Sequence, residues 1–402
     1  MKSAFATLAI TVLAAVLVAP AAPALEPQST PSVSSGQALA RGNNAFAARL
    51  YGELAQSKGN LFFSPYSVST ALGMVYTGAR GDTATQIRKA LDFELDQARL
   101  NKAFKKMNQD LASFARKDNF KLNIADGLAL TGGKVNKEFE AALEEDYDAR
   151  IFSGGAGRIN AWVRRKTEGR IDRIIDRLNP DSACVILNAI YFKGLWMWPF
   201  SKKRTRNEPF NVSSTRRVTA PMMYRRDKLK VLDGKDFQAV SIPYAGGELS
   251  MAVFLPRKPD GLSGLEKRLN AAKLSGWLEK LDGGPVREID LYLPRFTMRT
   301  SYDLKPSFVK MGMTKPFEQG ADFSGIKTPA GALRIGRINH KGFLDVNEKG
   351  TEAAAATAIE MPALAMRRYP VFRADHPFLF LIRDNRNSLI LFMGRQADPT
   401  SK

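Results

Sequence analysis

Two hydrophobic periodicities run through this chain, and they are segregated along it. Early on, apolar residues recur at helical spacing. Phe46, Leu50 and Leu54 do so with Ala47 and Tyr51 alongside, as do Leu100 to Phe114, Phe139 with Ala142 and Leu143, and Ile159 with Trp162 and Val163. Ser64-Pro65 predicts one more helix, a hydroxyl cap followed by proline at the first helical position, running through Leu72, Met74 and Val75 to Gly78. Strand signals then take over. Ala183 to Phe192 is almost continuously apolar, as a strand buried on both faces would be, and Met251 to Leu255 is similar. Ile289, Leu291 and Leu293 alternate with Asp290 and Tyr292. Phe378 to Ile382 and Leu389 to Met393 flank Asp384-Asn385-Arg386-Asn387 as the arms of a hairpin. Helices mainly first and strands mainly second, without βα alternation, predict an α+β architecture in a single large domain.

The N-terminus predicts export. Residues 1–24 read as a signal peptide, with Lys2 as the positive end, Ala4 to Val18 as the apolar stretch and Ala22-Pro23-Ala24 as a small-residue cleavage site. That stretch is too short to span a bilayer, and no later run is long enough. A secreted or periplasmic protein is expected. Residues 25–36, rich in Pro, Ser and Thr, read as a disordered lead-in. Residues 37–399 carry the domain.

Familiar enzyme chemistry finds no foothold. Cys184 is the sole cysteine, so no internal disulfide forms, and its apolar neighbours read it as a small buried residue. The alternative, a nucleophile served by His340 or His376, has no supporting signature. Two histidines leave too few soft ligands for a zinc site. There is no Gly-x-Ser-x-Gly elbow, phosphate-binding loop or dinucleotide fingerprint. No metal, no cofactor and no catalysis are expected.

A formal net charge of +20 draws the chain towards polyanions or acidic surfaces. The basic residues group at Arg164-Arg165-Lys166 with Arg170 and Arg173, at Lys202-Lys203-Arg204 with Arg206, and at Arg216-Arg217 and Arg225-Arg226 with Lys228 and Lys230. Such groups ordinarily form a solvated surface. Nucleic-acid binding would need aromatic platforms among them, which are missing.

Gly350 to Ala358 reads Gly-Thr-Glu-Ala-Ala-Ala-Ala-Thr-Ala, a run stripped of side-chain bulk. Taken alone it suits a flexible tether or a short helix. As a strand it would place Thr351, Ala353, Ala355 and Thr357 on one face, small enough to slide into a packed interior. Glu352, Ala354, Ala356 and Ala358 would share the other.

Several motifs, in order and at consistent spacing, then resemble the serpin family from roughly Gln37 to Pro399. They are Asn60-Leu-Phe-Phe-Ser-Pro-Tyr-Ser67, Leu187-Asn-Ala-Ile-Tyr-Phe-Lys-Gly-Leu-Trp196, Leu293-Pro-Arg-Phe296 and Tyr302-Asp-Leu304. Gly320-Ala-Asp-Phe-Ser-Gly325, Val346-Asn-Glu-Lys-Gly-Thr-Glu-Ala353 and Asp375-His-Pro-Phe-Leu-Phe380 complete the set. The resemblance implies three β-sheets, about nine helices and an exposed reactive loop, here about residues 350–373. It implies an exported, bacterial-type inhibitor of serine or cysteine proteases, acting as a monomer that forms a covalent complex with its target.

Carried over residue by residue, Gly350, Thr351, Glu352, Ala353, Ala354, Ala355, Ala356 and Thr357 are the hinge of that loop. The commonest family spacing puts the reactive bond at Leu364-Ala365, with Ala363 and Met366 as register alternatives. The segment from Leu364 to Pro377 is two residues longer than the commonest pattern. Leu364 suits chymotrypsin-like or elastase-like targets, whereas Arg367 and Arg368 would draw trypsin-like ones. Ser64, Ser67, Asn188 and His340 resemble the polar shutter beneath the sheet. Trp196, Arg295 and Glu348 resemble the breach where the loop first enters, with Arg295 and Glu348 an expected ion pair. Lys102, Lys105 and Lys106 lie where some relatives bind glycosaminoglycans. The stretch between Asp148 and Ile159 is short, so the first strand of the central sheet is expected to be curtailed. A non-inhibitory binding protein on the same scaffold is the alternative.

Overall fold

In the computed structural model the long apolar run of the sequence analysis is the middle strand of a central sheet, covered on both faces. The structure describes residues 33–115, 120–130, 134–178, 184–328, 333–351 and 368–401. Among these, the helices are α1 (Ser35–Leu54), α2 (Pro65–Gly78), α3 (Gly81–Ala90), α4 (Gln97–Ala115), α5 (Lys137–Tyr147), α6 (Ala156–Lys166), α7 (Leu262–Lys267), α8 (Ala271–Asp282) and α9 (Lys305–Lys310). The strands of the N-terminal part are β1 (Leu61–Phe63), β2 (Phe120–Leu130), β3 (Lys134–Val135), β4 (Arg150–Phe152) and β5 (Cys184–Leu195). There follow β6 (Arg206–Asn211), β7 (Arg217–Asp233), β8 (Phe237–Pro243), β9 (Leu249–Pro256), β10 (Val286–Pro294) and β11 (Phe296–Asp303). The remainder are β12 (Lys327–Thr328), β13 (Ile335–Asn347), β14 (Gly350–Thr351), β15 (Val371–Arg373), β16 (Phe378–Asp384) and β17 (Ile390–Gln396). Ser34–Lys402 form one compact unit. The fold is α+β.

The central sheet has the order β11-β13-β14-β5-β2-β4, with β13 also paired directly to β5. A larger sheet runs β1-β17-β16-β9-β8-β7-β10-β15, with β6 on β7, and β12 and β3 make a two-stranded ribbon. Along β5, Val185, Leu187, Ala189 and Tyr191 pack with Ile159, Trp162 and Val163 of α6 on one face. Cys184, Ile186, Ile190 and Phe192 join the main core on the other, which explains an apolar run without alternation. The outermost strand, β4, is only three residues long, and it pairs parallel to β2.

One expectation from the sequence needs correcting. The lead-in does not extend to Gly36, because Ser34 caps α1 in a reciprocal box with Gln37 and so draws Ser35 and Gly36 into the helix. Residues 1–24, and the lead-in before Val33, lie outside the described residues. Helices do come mainly first and strands mainly second, but the early part holds one long strand as well. β2 spans 11 residues ahead of β5 and pairs with it along its whole length. Asn123 and Asp126 sit on that strand at positions a simple apolar pattern would reject.

The third basic group, apart from Arg216, lies on β7, a 17-residue strand. Arg226, Lys228 and Lys230 alternate to the exposed side. Arg225 points inward, over the ring of Phe200 and 2.6 Å from Asp227. Cys184 is buried, and burial alone pushes its thiol up to about 12. A thiolate nucleophile has no support there. Among the described residues no helix is long and apolar enough to cross a membrane, and no group of three or more His, Cys, Asp or Glu side chains is placed to hold a metal ion.

Candidate functional site

The site begins at the end of β13, where the chain turns through Glu348 and Lys349 and comes back as β14. Gly350 and Thr351 enter the central sheet there. Thr351 pairs antiparallel with Val346 on one side and with Gly194 of β5 on the other, and Gly350 stands opposite Leu195. Gly350 and Thr351, the first two residues of the expected hinge, thus occupy the gap between β13 and β5. Below them the gap closes. β13 and β5 pair directly, in parallel, from Phe343↔Tyr191 to Ile335↔Cys184. Glycine is needed at 350, where φ is +154° and a Cβ would lie 2.0 Å from the carbonyl oxygen of Gly194. Thr351 is fully buried, its hydroxyl 2.9 Å from that of Tyr244.

The walls of this entry point are aromatic and charged. Trp196 stacks on Tyr244 with centroids 4.7 Å apart and 12° between planes, and its indole N–H donates to the carbonyl of Asn347 at 2.9 Å. Phe200 sits edge-on to Trp196, and its backbone N–H donates to the carbonyl of Glu348 at 2.7 Å. Glu348 is 3% exposed and takes two partners: Arg295 at 3.2 Å and the Thr205 hydroxyl at 2.8 Å. Trp196, Arg295 and Glu348 therefore come together where β14 enters. Tyr244 and Thr205 escaped the sequence reading, because each lies outside any periodic segment and carries no motif.

The second cluster lies midway along the closed part of the seam. His340 of β13 and Asn188 of β5 stand opposite each other in register, and His340 Nδ1 bonds Asn188 Oδ1 across the seam. The backbone N–H of Ser64 donates to His340 Nε2 at 3.1 Å, so the imidazole is neutral with its proton on Nδ1. Burial holds its pKa down to about 3. Asn188 Nδ2 donates to the Ser67 carbonyl at 2.9 Å, to Ser67 Oγ at 2.5 Å and to Asp126 Oδ1. Ser64 Oγ caps α2 through the N–H of Ser67 at 3.1 Å and donates to the carbonyl of Leu391 at 2.6 Å. Ser64, Ser67, Asn188 and His340 form one connected buried network, as buried polar groups must.

Asp126 is the member that sequence reasoning missed. It faces Asn188 from β2, is 2% exposed, and burial raises its carboxyl to about 8. A lone Asp within Phe120–Leu130 would have been the available signal.

Other expected residues fall elsewhere. Glu352 to Thr357, Ala363, Leu364, Ala365, Met366 and Arg367 lie outside the described residues. Arg368 is described and exposed. Lys105 and Lys106 of α4 are ion-paired, the first 3.3 Å from Asp146 and the second with Asp110.

A family model described as Serpin (serine protease inhibitor) matches residues 41–399. Serpin B8 of Homo sapiens is 37% identical over 382 residues, covering 90% of this chain and 99% of that protein. Leukocyte elastase inhibitor of Equus caballus is 36% identical over 383 residues, with the same coverage of both. Among solved structures, human thyroxine-binding globulin is similar with a TM-score of 0.83 at 28% identity, covering 92% of this chain and all of that one. With the motifs, the sheet order and the seating of Gly350 and Thr351 between β13 and β5 already in view, these matches leave one conclusion: the chain belongs to the serpin family.

Proposed function

We propose that this protein is a suicide-substrate inhibitor of serine proteases with a chymotrypsin-like or elastase-like specificity pocket. The observation that carries the reading is the seating of Gly350 and Thr351 between β5 and β13, with the rest of the seam closed below them. The protease serine attacks the Leu364 carbonyl, the Ala365 amine leaves, and an acyl-enzyme ester remains on Leu364. The freed segment then follows Thr351 down the seam as a full strand, carrying the protease with it. Loop insertion of this kind is the switching mode that serpins themselves exemplify.

The magnitudes suffice. About 14 residues at roughly 3.3 Å each make a strand of about 46 Å. About ten new main-chain hydrogen bonds at roughly 1 kcal/mol net amount to on the order of 10 kcal/mol. That rivals the entire stability of a typical fold, so the intact form is held kinetically.

The reading requires no cofactor and treats the protein as an exported monomer rather than an enzyme. A glycosaminoglycan or other polyanion remains the partner that the charge of +20 suggests. The test is to mix the protein with chymotrypsin, elastase and trypsin and to look for SDS-resistant complexes. The first two should yield them. Trypsin, cutting at Arg367 or Arg368, should mainly turn the protein over as substrate. Nicking by all three without any complex would favour the second reading, a binding protein on the same scaffold. The similarity to thyroxine-binding globulin, a binding protein by its name, is the observation that favours that second reading.

A further inference from the structure

Thr351 and Tyr369 bracket the segment that carries Leu364-Ala365, and a continuous path of contacts joins the two brackets across one surface. At the hinge end, the Thr205 hydroxyl and the backbone of Phe200 hold Glu348. Between them lies the turn Lys202–Arg204, and Arg204 stands over the ring of Tyr224 at 4.2 Å. Tyr224 packs on Tyr292 with centroids 4.7 Å apart, and its hydroxyl donates to Asp290 at 2.8 Å. Asp290 also takes Arg226 at 2.9 Å, and Arg226 lies 3.9 Å over Tyr369. The outer face of β7 and β10 is thus the ground between the two ends.

This face holds more cations than it can pair. Asp290 is engaged by Tyr224 and Arg226, and Glu208 by Arg373. Lys202, Lys203, Arg204 and Arg206 are exposed, and none of the four has a carboxylate partner among the described residues. Arg368 adds a further exposed cation at the other end. Apolar side chains are exposed here too. Val371 of β15 lies opposite Asp290, and Val286 of β10 lies opposite Lys230. Trp198, 59% exposed, stands two residues before Phe200. Exposed apolar groups set among uncompensated charge mark an interaction surface.

The chain itself identifies the partner. Ala365 is three residues from Arg368, so their Cα atoms lie within about 11 Å whatever path the chain takes. An enzyme that grips this bond must overhang the face. We propose that the outer face of β7 and β10, with the turn Lys202–Arg204, docks the target protease and favours enzymes whose surface beside the active-site cleft is acidic. This rests on Leu364-Ala365 as the reactive bond. The rings of Tyr224 and Tyr369 hold Arg204 and Arg226 in place, so little side-chain freedom is lost on docking. Attraction of this kind acts on the rate of encounter and weakens with ionic strength.

The experiment follows the loss of intact protein, trapped or merely cleaved, with chymotrypsin and with chymotrypsin whose lysines have been succinylated to carboxylates. The acidic enzyme should react faster in dilute buffer and lose that advantage as salt is added. Lys202→Glu with Lys203→Glu should slow the acidic enzyme about tenfold or more in dilute buffer, and leave the unmodified enzyme no slower. Lys202→Gln with Lys203→Gln should fall between, and an unchanged melting temperature checks the fold of both variants. Equal rates for parent and Glu variant, or equal slowing with both enzymes, would overturn the proposal. So would weaker retention on heparin-agarose with neither rate changed, which assigns the face to a polyanion. Failure of both enzymes to cut between Thr351 and Arg368 would remove this proposal and the inhibitor reading together. Cutting without an SDS-resistant complex counts against the inhibitor reading alone, because cleavage still reports docking.

Discussion

The hydroxyls of Thr351 and Tyr244 lie 2.9 Å apart, both buried, and that contact fastens β14 into the central sheet. Tyr244→Phe removes one partner and leaves the other buried without one. A loss of about 1 kcal/mol of stability is expected, with faster hydrogen exchange at the Thr351 amide. Unchanged exchange there would mean that backbone pairing alone holds the hinge.

Thr351→Arg places a charge where no exposed surface remains. An unpaired buried charge is expensive enough to keep the hinge out of the sheet. Cleavage by chymotrypsin should persist in this variant while the SDS-resistant complex disappears. Survival of the covalent complex would refute insertion as the trapping step.

At the entry point, Arg295 is about half exposed while Glu348 is 3% exposed. Arg295→Ala should leave Glu348 with the Thr205 hydroxyl as its remaining side-chain partner. The exposure of Arg295 limits the expected cost to about 1 kcal/mol. Polymerisation on mild heating should nevertheless be faster, measured by native gel, because the same side chain guards the opening.

Two buried groups of the seam titrate in opposite senses. His340 falls from an ordinary 6.5 to about 3, so its contribution to stability is present above pH 6.5 and is lost as pH falls towards 3. Asp126 rises from 3.8 to about 8, so its contribution is present below pH 3.8 and is lost as pH climbs through 8. Between pH 3.8 and 6.5 the two oppose each other. Above 6.5 only Asp126 acts, and stability should decline towards pH 8. The melting-temperature difference between Asp126→Asn and the parent protein should therefore grow from pH 4 to pH 8 and level off beyond. A flat difference would show that Asp126 is ionised throughout.

Cleavage at the reactive bond should raise the melting temperature substantially if the severed segment enters the seam. Cleavage in the same loop at Arg367 or Arg368 by trypsin, which should be turned over and not trapped, followed by calorimetry measures this directly. Equal melting of intact and cleaved forms would remove the stored energy on which inhibition depends.

Much of this was legible because certain local rules are strict. Ser64 followed by Pro65 is an N-terminal signature, and α2 begins there. The apolar run around Ile186 and Ile190 could only be a strand covered on both faces. The missing bulk singled out the run that begins at Gly350, of which Gly350 and Thr351 are described and both are buried in the central sheet. What stayed hidden depends on partners distant in sequence. β2 carries Asn123 and Asp126 and was passed over, since its polar residues find meaning only against β5 and α4. β7 looked like a solvated basic stretch, whereas Arg225 is folded in against Asp227 and Phe200. Tyr244 and Thr205 have no motif and acquire a role only from the geometry of the turn at Glu348.

Strand polarity in the central sheet has its own consequence. β13 and β5 run the same way, and β14 runs against both. Each residue that follows Thr351 inward would dissolve a slanted, same-direction ladder and leave two head-to-tail ones in its place, the more favourable kind per residue. On the proposed insertion mechanism, the direction in which the chain leaves β13 therefore favours the inserted form.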